Sequence, residues 1–287
     1  MRGPVEFHYR LATRTGGSHP GSHPGRSFGS GQEFALHARL FDYPDPRRLD
    51  LRASQRAVPP QWLVRLHLQR VAIPVYVVVD VSTSMFFGSE RTKLDVAADF
   101  IESLGYSAFR AGDQVGMLAF DDSERNDLFV PARHGRGVGD EMAALLRGAS
   151  ASSRKKTGHA GIEQAFDRLA GRRSLLFLVS DFHWSLGRLE AALDRLTGAT
   201  MVPMVVWDKA EIEPPSEGKL LAVRDLESGR SRTVWLRPKV LKQWGENVAK
   251  RRRDLTTLFA KHGAHPFFVE GTFDGESLSR HFVETAV

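Results

Sequence analysis

The sequence predicts an α/β protein with a Rossmann-like, mainly parallel central sheet, helices on both faces and a β-hairpin at the edge. Short apolar runs rich in β-branched residues recur from residue 73 onward. Such runs are typical of strands that are buried on both faces. Stretches with apolar residues at helical spacing lie between them, and this alternation of strands and helices favours a parallel sheet.

The elements follow one another from residue 71 to the C-terminus, so we assign residues 71–287 to one domain. The predicted strands are Ile73–Val79, Val115–Phe120, Leu175–Val179, Met201–Trp207 and Pro266–Val269. The predicted helices are Lys93–Phe109, Glu141–Leu146, Ile162–Leu169, Leu186–Leu196 and Val240–Phe259. Two strand-like runs flank Glu227-Ser228-Gly229, which predicts a hairpin insertion at about 217–237.

Residues 1–70 form an N-terminal flank of different character. Residues 15–32 consist mainly of Gly, Ser, His and Pro, with GSHP repeated in tandem. A segment of this composition cannot bury a core, and we expect a mobile loop. Residues 33–70 are mixed and rich in arginine, and within them residues 41–56 (FDYPDPRRLDLRASQR) predict a turn followed by an irregular, charged segment.

Composition excludes several classes of function. The 287 residues include no cysteine, which rules out disulfides, thiolate metal sites and cysteine nucleophiles. No apolar run approaches the roughly 18–20 residues of a membrane span, and we expect no integral membrane segment and a cytoplasmic location. The net charge is +6, but the basic residues are spread along the chain, so we expect no nucleic-acid partner.

Polar side chains follow three of the predicted strands. Asp80, Ser82 and Ser84 form a D-x-S-x-S motif after the first strand, Asp121 and Asp122 follow the second, and Asp181 follows the third. Ligands of open α/β sheets collect at the carboxyl ends of the strands. Carboxylate and hydroxyl oxygens suit Mg²⁺ or Mn²⁺. We therefore predict a metal site at this edge of the sheet, where the spacing of Asp80, Ser82 and Ser84 can aim all three side chains into one space.

This pattern resembles the metal-ion-dependent adhesion site of von Willebrand factor A domains. That site uses D-x-S-x-S after the first strand, a threonine from a second loop and an aspartate after a later strand. The resemblance implies metal ligands at Asp80, Ser82, Ser84 and Asp181. Ala160 falls where the family has its threonine, and Thr157 is the possible substitute.

A second resemblance is to a bacterial family named domain of unknown function 58. Residues 43–54 (YPDPRRLDLRAS) are similar to a stretch that precedes the von Willebrand-type domain in that family, and residues 225–229 are similar to its D-x-E-x-G hairpin. Short relatives include the MxaS-like proteins. Family members commonly accompany MoxR-type AAA+ ATPases, which implies such an ATPase, or its client, as a partner.

The site favours recognition over catalysis. A cation held mainly by hydroxyl groups stays electrophilic and can accept an acidic residue of a partner protein. We therefore predict a non-enzymatic adaptor. The alternative is a metal-dependent hydrolase, a phosphatase or nuclease, that uses the same acidic rim with Asp121 and Asp122. A dehalogenase-type phosphotransferase is disfavoured because Ser82 stands where that mechanism needs its second aspartate.

Overall fold

The computed structural model describes residues 3–9, 20–29, 33–149, 161–213, 218, 220–224 and 231–285. The chain divides into two compact units. Leu11–Ile73 form the small unit, and Met1–Arg10 together with Pro74–Val287 form the large unit.

The small unit contains a three-stranded antiparallel sheet with the strand order β1–β3–β2. Its elements are β1 (Pro20–Gly29), β2 (Glu33–Arg39), a 3₁₀ turn (Pro46–Arg48), α1 (Leu51–Arg56) and β3 (Leu63–Val71). Residues 41–56 are therefore more regular than the sequence indicates, because they contain the 3₁₀ turn and α1. The buried positions of β3 alternate along the strand, as in a sheet that buries one face.

Strand β1 lies within the segment 15–32, for which the sequence favours a loop. It pairs with β3 from Pro20 opposite Val71 to Gly29 opposite His67, with two register shifts. Main-chain hydrogen bonds to a neighbouring strand do not require apolar side chains, so composition alone misses such a strand. Residues 15–19 and 30–32 lie outside the described residues.

The aspartates of the YPDPRRLDLRAS stretch cap helical turns. The Asp50 carboxylate accepts hydrogen bonds from the Ala53 backbone N–H at 3.1 Å and from Arg65 Nε at 2.7 Å. The Arg65 guanidinium holds the pKa of Asp50 well below its usual range. Asp45 accepts a hydrogen bond from the Arg47 backbone N–H at the start of the 3₁₀ turn. These motif residues therefore organise the small unit.

The large unit contains a six-stranded sheet with the order β11–β8–β7–β4–β5–β6, in which only β6 is antiparallel. Its strands are β4 (Pro74–Asp80), β5 (Gln114–Phe120), β6 (Val130–Arg133), β7 (Leu175–Ser180), β8 (Thr200–Trp207) and β11 (Phe267–Glu270). Its helices are α2 (Lys93–Ala111), α3 (Val138–Arg147), α4 (Gly161–Leu169), α5 (Leu186–Leu193), α6 (Lys209–Ile212), α7 (Pro238–Lys261) and α8 (Gly275–Thr285). This arrangement confirms the predicted α/β fold.

Both faces of this sheet are covered. Every residue of β7 is buried. Leu176 and Leu178 belong to a core cluster that also contains α4, α5 and α7 side chains, whereas the Phe177 ring contacts Phe100 of α2 and Phe282 of α8. Alternate residues of a strand point to opposite faces, so one apolar run supplies two cores.

Local signals fix the boundaries of α2. Thr92 and Asp95 form a capping box at its N-terminus, and Gly112 ends it with a left-handed φ of 80°. Gly105 of α2 faces Gly139 of α3 so closely that a Cβ on Gly105 would lie 2.2 Å from the Gly139 Cα. The two glycines therefore allow these helices to pack backbone against backbone.

The predicted hairpin is present as β9 (Leu220–Arg224) and β10 (Ser231–Trp235), which pair as a two-stranded antiparallel sheet of their own. Its turn, residues 225–230, lies outside the described residues. None of the helices described here has both the length and the apolar character needed to cross a bilayer.

The N-terminal residues Gly3–Tyr9 are part of the large unit, which the sequence does not reveal. The backbone N–H groups of Val5 and Phe7 donate hydrogen bonds to the hydroxyls of Ser103 and Ser107 on α2. Phe7 is buried. This extended segment therefore packs along α2 by pairing its backbone with helix side chains.

Candidate functional site

The candidate site lies where β4 and β7 end. These strands are parallel neighbours in the sheet, with Val79 opposite Val179. Asp80 is the last residue of β4, and Asp181 directly follows β7. Both aspartates are fully buried, whereas Ser82 and Ser84 are half-buried. The carboxyl ends of the two strands thus form one crevice, in which the predicted residues come together.

Asp80 organises the two turns of the crevice. Its Oδ1 accepts a hydrogen bond from the Ser82 backbone N–H at 2.9 Å, and its Oδ2 accepts one from Ser180 Oγ at 2.7 Å. Ser180 Oγ in turn accepts hydrogen bonds from the Phe182 backbone N–H and from Trp184 Nε1. These hydrogen bonds link Asp80, at the end of β4, to the turn after β7.

The two serines of the motif present their hydroxyls side by side. A short 3₁₀ turn at Thr83–Phe86 brings Ser82 Oγ to within 3.2 Å of Ser84 Oγ. Neighbouring oxygen ligands of an octahedral Mg²⁺, each about 2.1 Å from the ion, lie about 3 Å apart. The spacing of this hydroxyl pair therefore fits two ligands of one such ion.

Asp181 is held by charge. Its Oδ2 accepts a hydrogen bond from Lys93 Nζ at 2.6 Å, and its Oδ1 accepts one from the His183 backbone N–H at 3.2 Å. Burial alone would raise the pKa of Asp181, but the charge of Lys93, with further help from His183 and a hydrogen bond from Ser84, holds this pKa below its usual value. Asp181 is therefore an anion next to Ser84.

Lys93 is the important residue that sequence reasoning missed. It is 1% exposed, and its ammonium also donates a hydrogen bond to Glu211 Oε1 at 2.8 Å. Burial would lower the pKa of Lys93, but Asp181 and Glu211 together raise it above the usual value. Lys93 is the first residue of α2, on the face that buries Val96 and Phe100. A charge on an apolar stripe was the signal that could have identified it.

Glu211 and His183 extend the site beyond the predicted residues. The Glu211 side chain caps α6 together with Asp208 and lies 3.4 Å from His183 Nε2. Burial would raise the pKa of Glu211, but His183 and Lys93 lower it. A pocket of about 220 Å³ opens beside these groups, lined by His183, Trp207, Glu211, Ile212, Asn247, Val248 and Arg251.

Two positions for a metal can be compared. Ligand atoms of Asp181, His183 and Glu211 lie within 4.8 Å of one another, so this group could hold a metal ion. However, the Lys93 ammonium already contacts both of its carboxylates. The serine side, with Ser82 and Ser84 next to the buried carboxylates, is the position at which hard oxygen donors fit Mg²⁺ or Mn²⁺.

The remaining predicted residues have different positions. Thr157 and Ala160 lie outside the described residues. Asp121, a suggested contributor to the rim, accepts a hydrogen bond from the Ser123 backbone N–H and pairs with Arg125 at 3.3 Å. Its side chain thus stabilises the turn after β5.

One arginine of the basic helix α7 reaches the site. The Arg251 guanidinium donates hydrogen bonds to the backbone carbonyls of Phe182 and Trp184. It therefore fixes the turn that carries His183.

Solved structures that are similar to this chain share less than a fifth of its sequence. BatB from Bacteroides thetaiotaomicron is 18% identical, with 75% of this chain and 99% of that chain covered and a TM-score of 0.44. An aerotolerance-related membrane protein from Bacteroides fragilis is 15% identical, with 75% and 98% covered and a TM-score of 0.46. A von Willebrand factor type A structure from Catenulispora acidiphila is 13% identical, with 77% and 43% covered and a TM-score of 0.38.

No curated protein matches the sequence. The mainly parallel sheet with flanking helices is the arrangement that the resemblance of the D-x-S-x-S motif to von Willebrand factor A domains implies. The family described as protein of unknown function DUF58 matches residues 44–254, which is most of the chain, and the protein therefore belongs to the DUF58 family.

Proposed function

We propose that this protein is a non-enzymatic adaptor that binds an acidic side chain of a partner protein through a divalent cation. The observation that carries this proposal is the pair of half-buried hydroxyls, Ser82 Oγ and Ser84 Oγ, 3.2 Å apart. They lie beside two buried carboxylates, Asp80 and Asp181. This donor set offers oxygen ligands and negative charge in one crevice.

The chain's own residues would divide the work of holding Mg²⁺ or Mn²⁺. Ser82, Ser84, Asp80 and Asp181 would hold the ion together, and the two aspartates would supply negative charge from the buried side. A bound ion of this kind contributes an electrophilic position that accepts a carboxylate oxygen. Thr157 remains the possible additional ligand that the resemblance implies.

We propose that the partner is linked to a MoxR-type ATPase, and family membership supports this proposal. The chain belongs to the DUF58 family, and its resemblance to members that accompany such ATPases suggests the ATPase or its client as the partner. The von Willebrand factor A-like fold suggests protein binding in general. The acidic residue would belong to that partner.

A metal-dependent hydrolase is the alternative, and the Asp181–His183–Glu211 group is the observation that favours it. A histidine between two carboxylates can ligate a metal or move a proton. The Lys93 ammonium bridges both carboxylates of this group, which favours the adaptor. Release of phosphate from generic phosphate esters, lost in Asp181→Asn, would support the hydrolase instead.

The adaptor is tested by capture. The tagged 287-residue chain is mixed with the MoxR-type ATPase of its own organism, in Mg²⁺ or in EDTA. We expect capture in Mg²⁺, loss in EDTA, and at least tenfold weaker capture by Ser82→Ala. Ser123→Ala, an exposed serine after the neighbouring strand β5, is the matched control. Capture that is equal in EDTA, or unchanged by Ser82→Ala, would contradict the proposal.

A further inference from the structure

We propose that Lys93 is a built-in competitor of the divalent cation, whose ammonium occupies Asp181 and thereby sets how tightly the crevice binds the metal. This inference rests on the proposed function and specifies the regulation of the same site. It makes Lys93 a positioning residue, because it acts on the metal only through the carboxylate that both cations need.

The geometry makes the ammonium and the divalent cation compete for the same oxygen atom of Asp181. Lys93 Nζ lies 2.6 Å from Asp181 Oδ2. A Mg²⁺ bound to that oxygen at about 2.1 Å would lie less than about 5 Å from the ammonium, whatever the direction of approach. The side chains of Lys93 and Asp181 are 2% and 0% exposed, so little water is available to screen this repulsion.

The ammonium also has an alternative partner. Glu211 Oε1 lies 2.8 Å from Lys93 Nζ, and its side chain is 23% exposed. An incoming ion can therefore replace the Lys93 ammonium at Asp181, while the ammonium retains its contact with Glu211. Glu211 is itself fixed by the capping box of α6, which holds this second carboxylate in place. Metal entry would then exchange one cation for another at Asp181.

The experiment measures Mn²⁺ binding by electron paramagnetic resonance of the unbound ion and by the shift in unfolding temperature with Mn²⁺. We expect Lys93→Gln to bind Mn²⁺ at least tenfold more tightly than the wild type and to gain more in unfolding temperature. Lys93→Arg keeps the positive charge and should resemble the wild type. Arg91→Gln is the matched control, because Arg91 lies two residues before Lys93 and forms an exposed ion pair with Asp99.

A second variant covers the case in which Lys93→Gln does not fold without metal. Glu211→Gln leaves Asp181 as the only carboxylate in contact with Lys93 among the contacts described, so Mn²⁺ should bind more weakly than in the wild type. Equal affinity of wild type and Lys93→Gln, or of wild type and Glu211→Gln, would overturn the inference. So would the absence of Mn²⁺ binding from every variant.

The two proposals fail separately. Tighter Mn²⁺ binding by Lys93→Gln, together with partner capture that is equal in Mg²⁺ and in EDTA, supports the role of Lys93 and refutes the adaptor. Capture that needs Mg²⁺, together with equal Mn²⁺ affinity in wild type and Lys93→Gln, supports the adaptor and refutes the role of Lys93.

Discussion

The two aspartates of the crevice are equally buried but are stabilised in different ways. Asp80 accepts hydrogen bonds from a backbone N–H and from the Ser180 hydroxyl, which are uncharged donors. Asp181 contacts the ammonium of Lys93. Both partners are distant in the chain, since Ser180 lies 100 residues from Asp80 and Lys93 lies 88 residues from Asp181. The contact of Asp80 depends on the pairing of β4 with β7, whereas the contact of Asp181 depends on the packing of α2 against the sheet.

Removal of the charge of Lys93 should have the largest effect on the stability of the protein. Lys93→Met leaves Asp181 buried without its counter-charge, and loss of one partner of a buried ion pair typically costs about 3–5 kcal/mol. We expect a loss of this size in the free energy of unfolding, measured with urea. Arg91→Met, which breaks an exposed pair, should cost less than about 1 kcal/mol. Equal losses in both variants would show that the buried Lys93–Asp181 pair stabilises the fold no more than an exposed ion pair does.

The pH dependence of stability should separate Asp181 from an ordinary surface carboxylate. Its pKa is lower in the folded protein than in the unfolded chain, mainly because Lys93 outweighs the effect of burial. The unfolded state therefore binds more protons as the pH falls, and the stabilisation is complete above the ordinary aspartate pKa of about 4 and is lost below it. Lys93 adds no slope there, because its raised pKa lies in the alkaline range.

Urea unfolding of wild type and Asp181→Asn between pH 7 and pH 3 measures this effect. We expect a constant difference in unfolding free energy near neutral pH that shrinks toward pH 3. At neutral pH the difference should be smaller than for Lys93→Met, because Lys93 keeps its contact with Glu211. A difference that stays constant down to pH 3 would contradict the lowered pKa of Asp181.

The smallest expected effect is on the side of Asp80. Ser180→Ala removes a donor to Asp80 and an acceptor for the Phe182 N–H and Trp184 Nε1. Leaving buried polar groups without such a partner costs about 1–3 kcal/mol. Urea unfolding at neutral pH measures this loss. Ser123→Ala on the neighbouring turn is the control, and a comparable loss there would contradict this assignment.

Much of the large unit could be predicted because its signals are local. The strand at 73–79 is apolar on both faces, and the structure places β4 at Pro74–Asp80. The small unit was harder. Strand β1 pairs through its backbone despite a composition of Gly, Ser, His and Pro, and Gly3–Tyr9 joins the large unit through contacts about 100 residues apart. Periodicity carries no information about either.

The sequence by itself determined the α/β class and the position of D-x-S-x-S after a buried strand, because both signals are local. The tertiary structure decided that β4 and β7 are neighbours, so that Asp80 and Asp181 follow adjacent strands. Only the tertiary structure decided which cation accompanies Asp181. Lys93 begins an amphipathic helix, and its place on the apolar face can be read from the sequence, but its two partners cannot. Its ammonium is buried between Asp181 and Glu211 because the packing of α2 and α6 brings three distant positions together, and the electrostatic attraction between them offsets their loss of water.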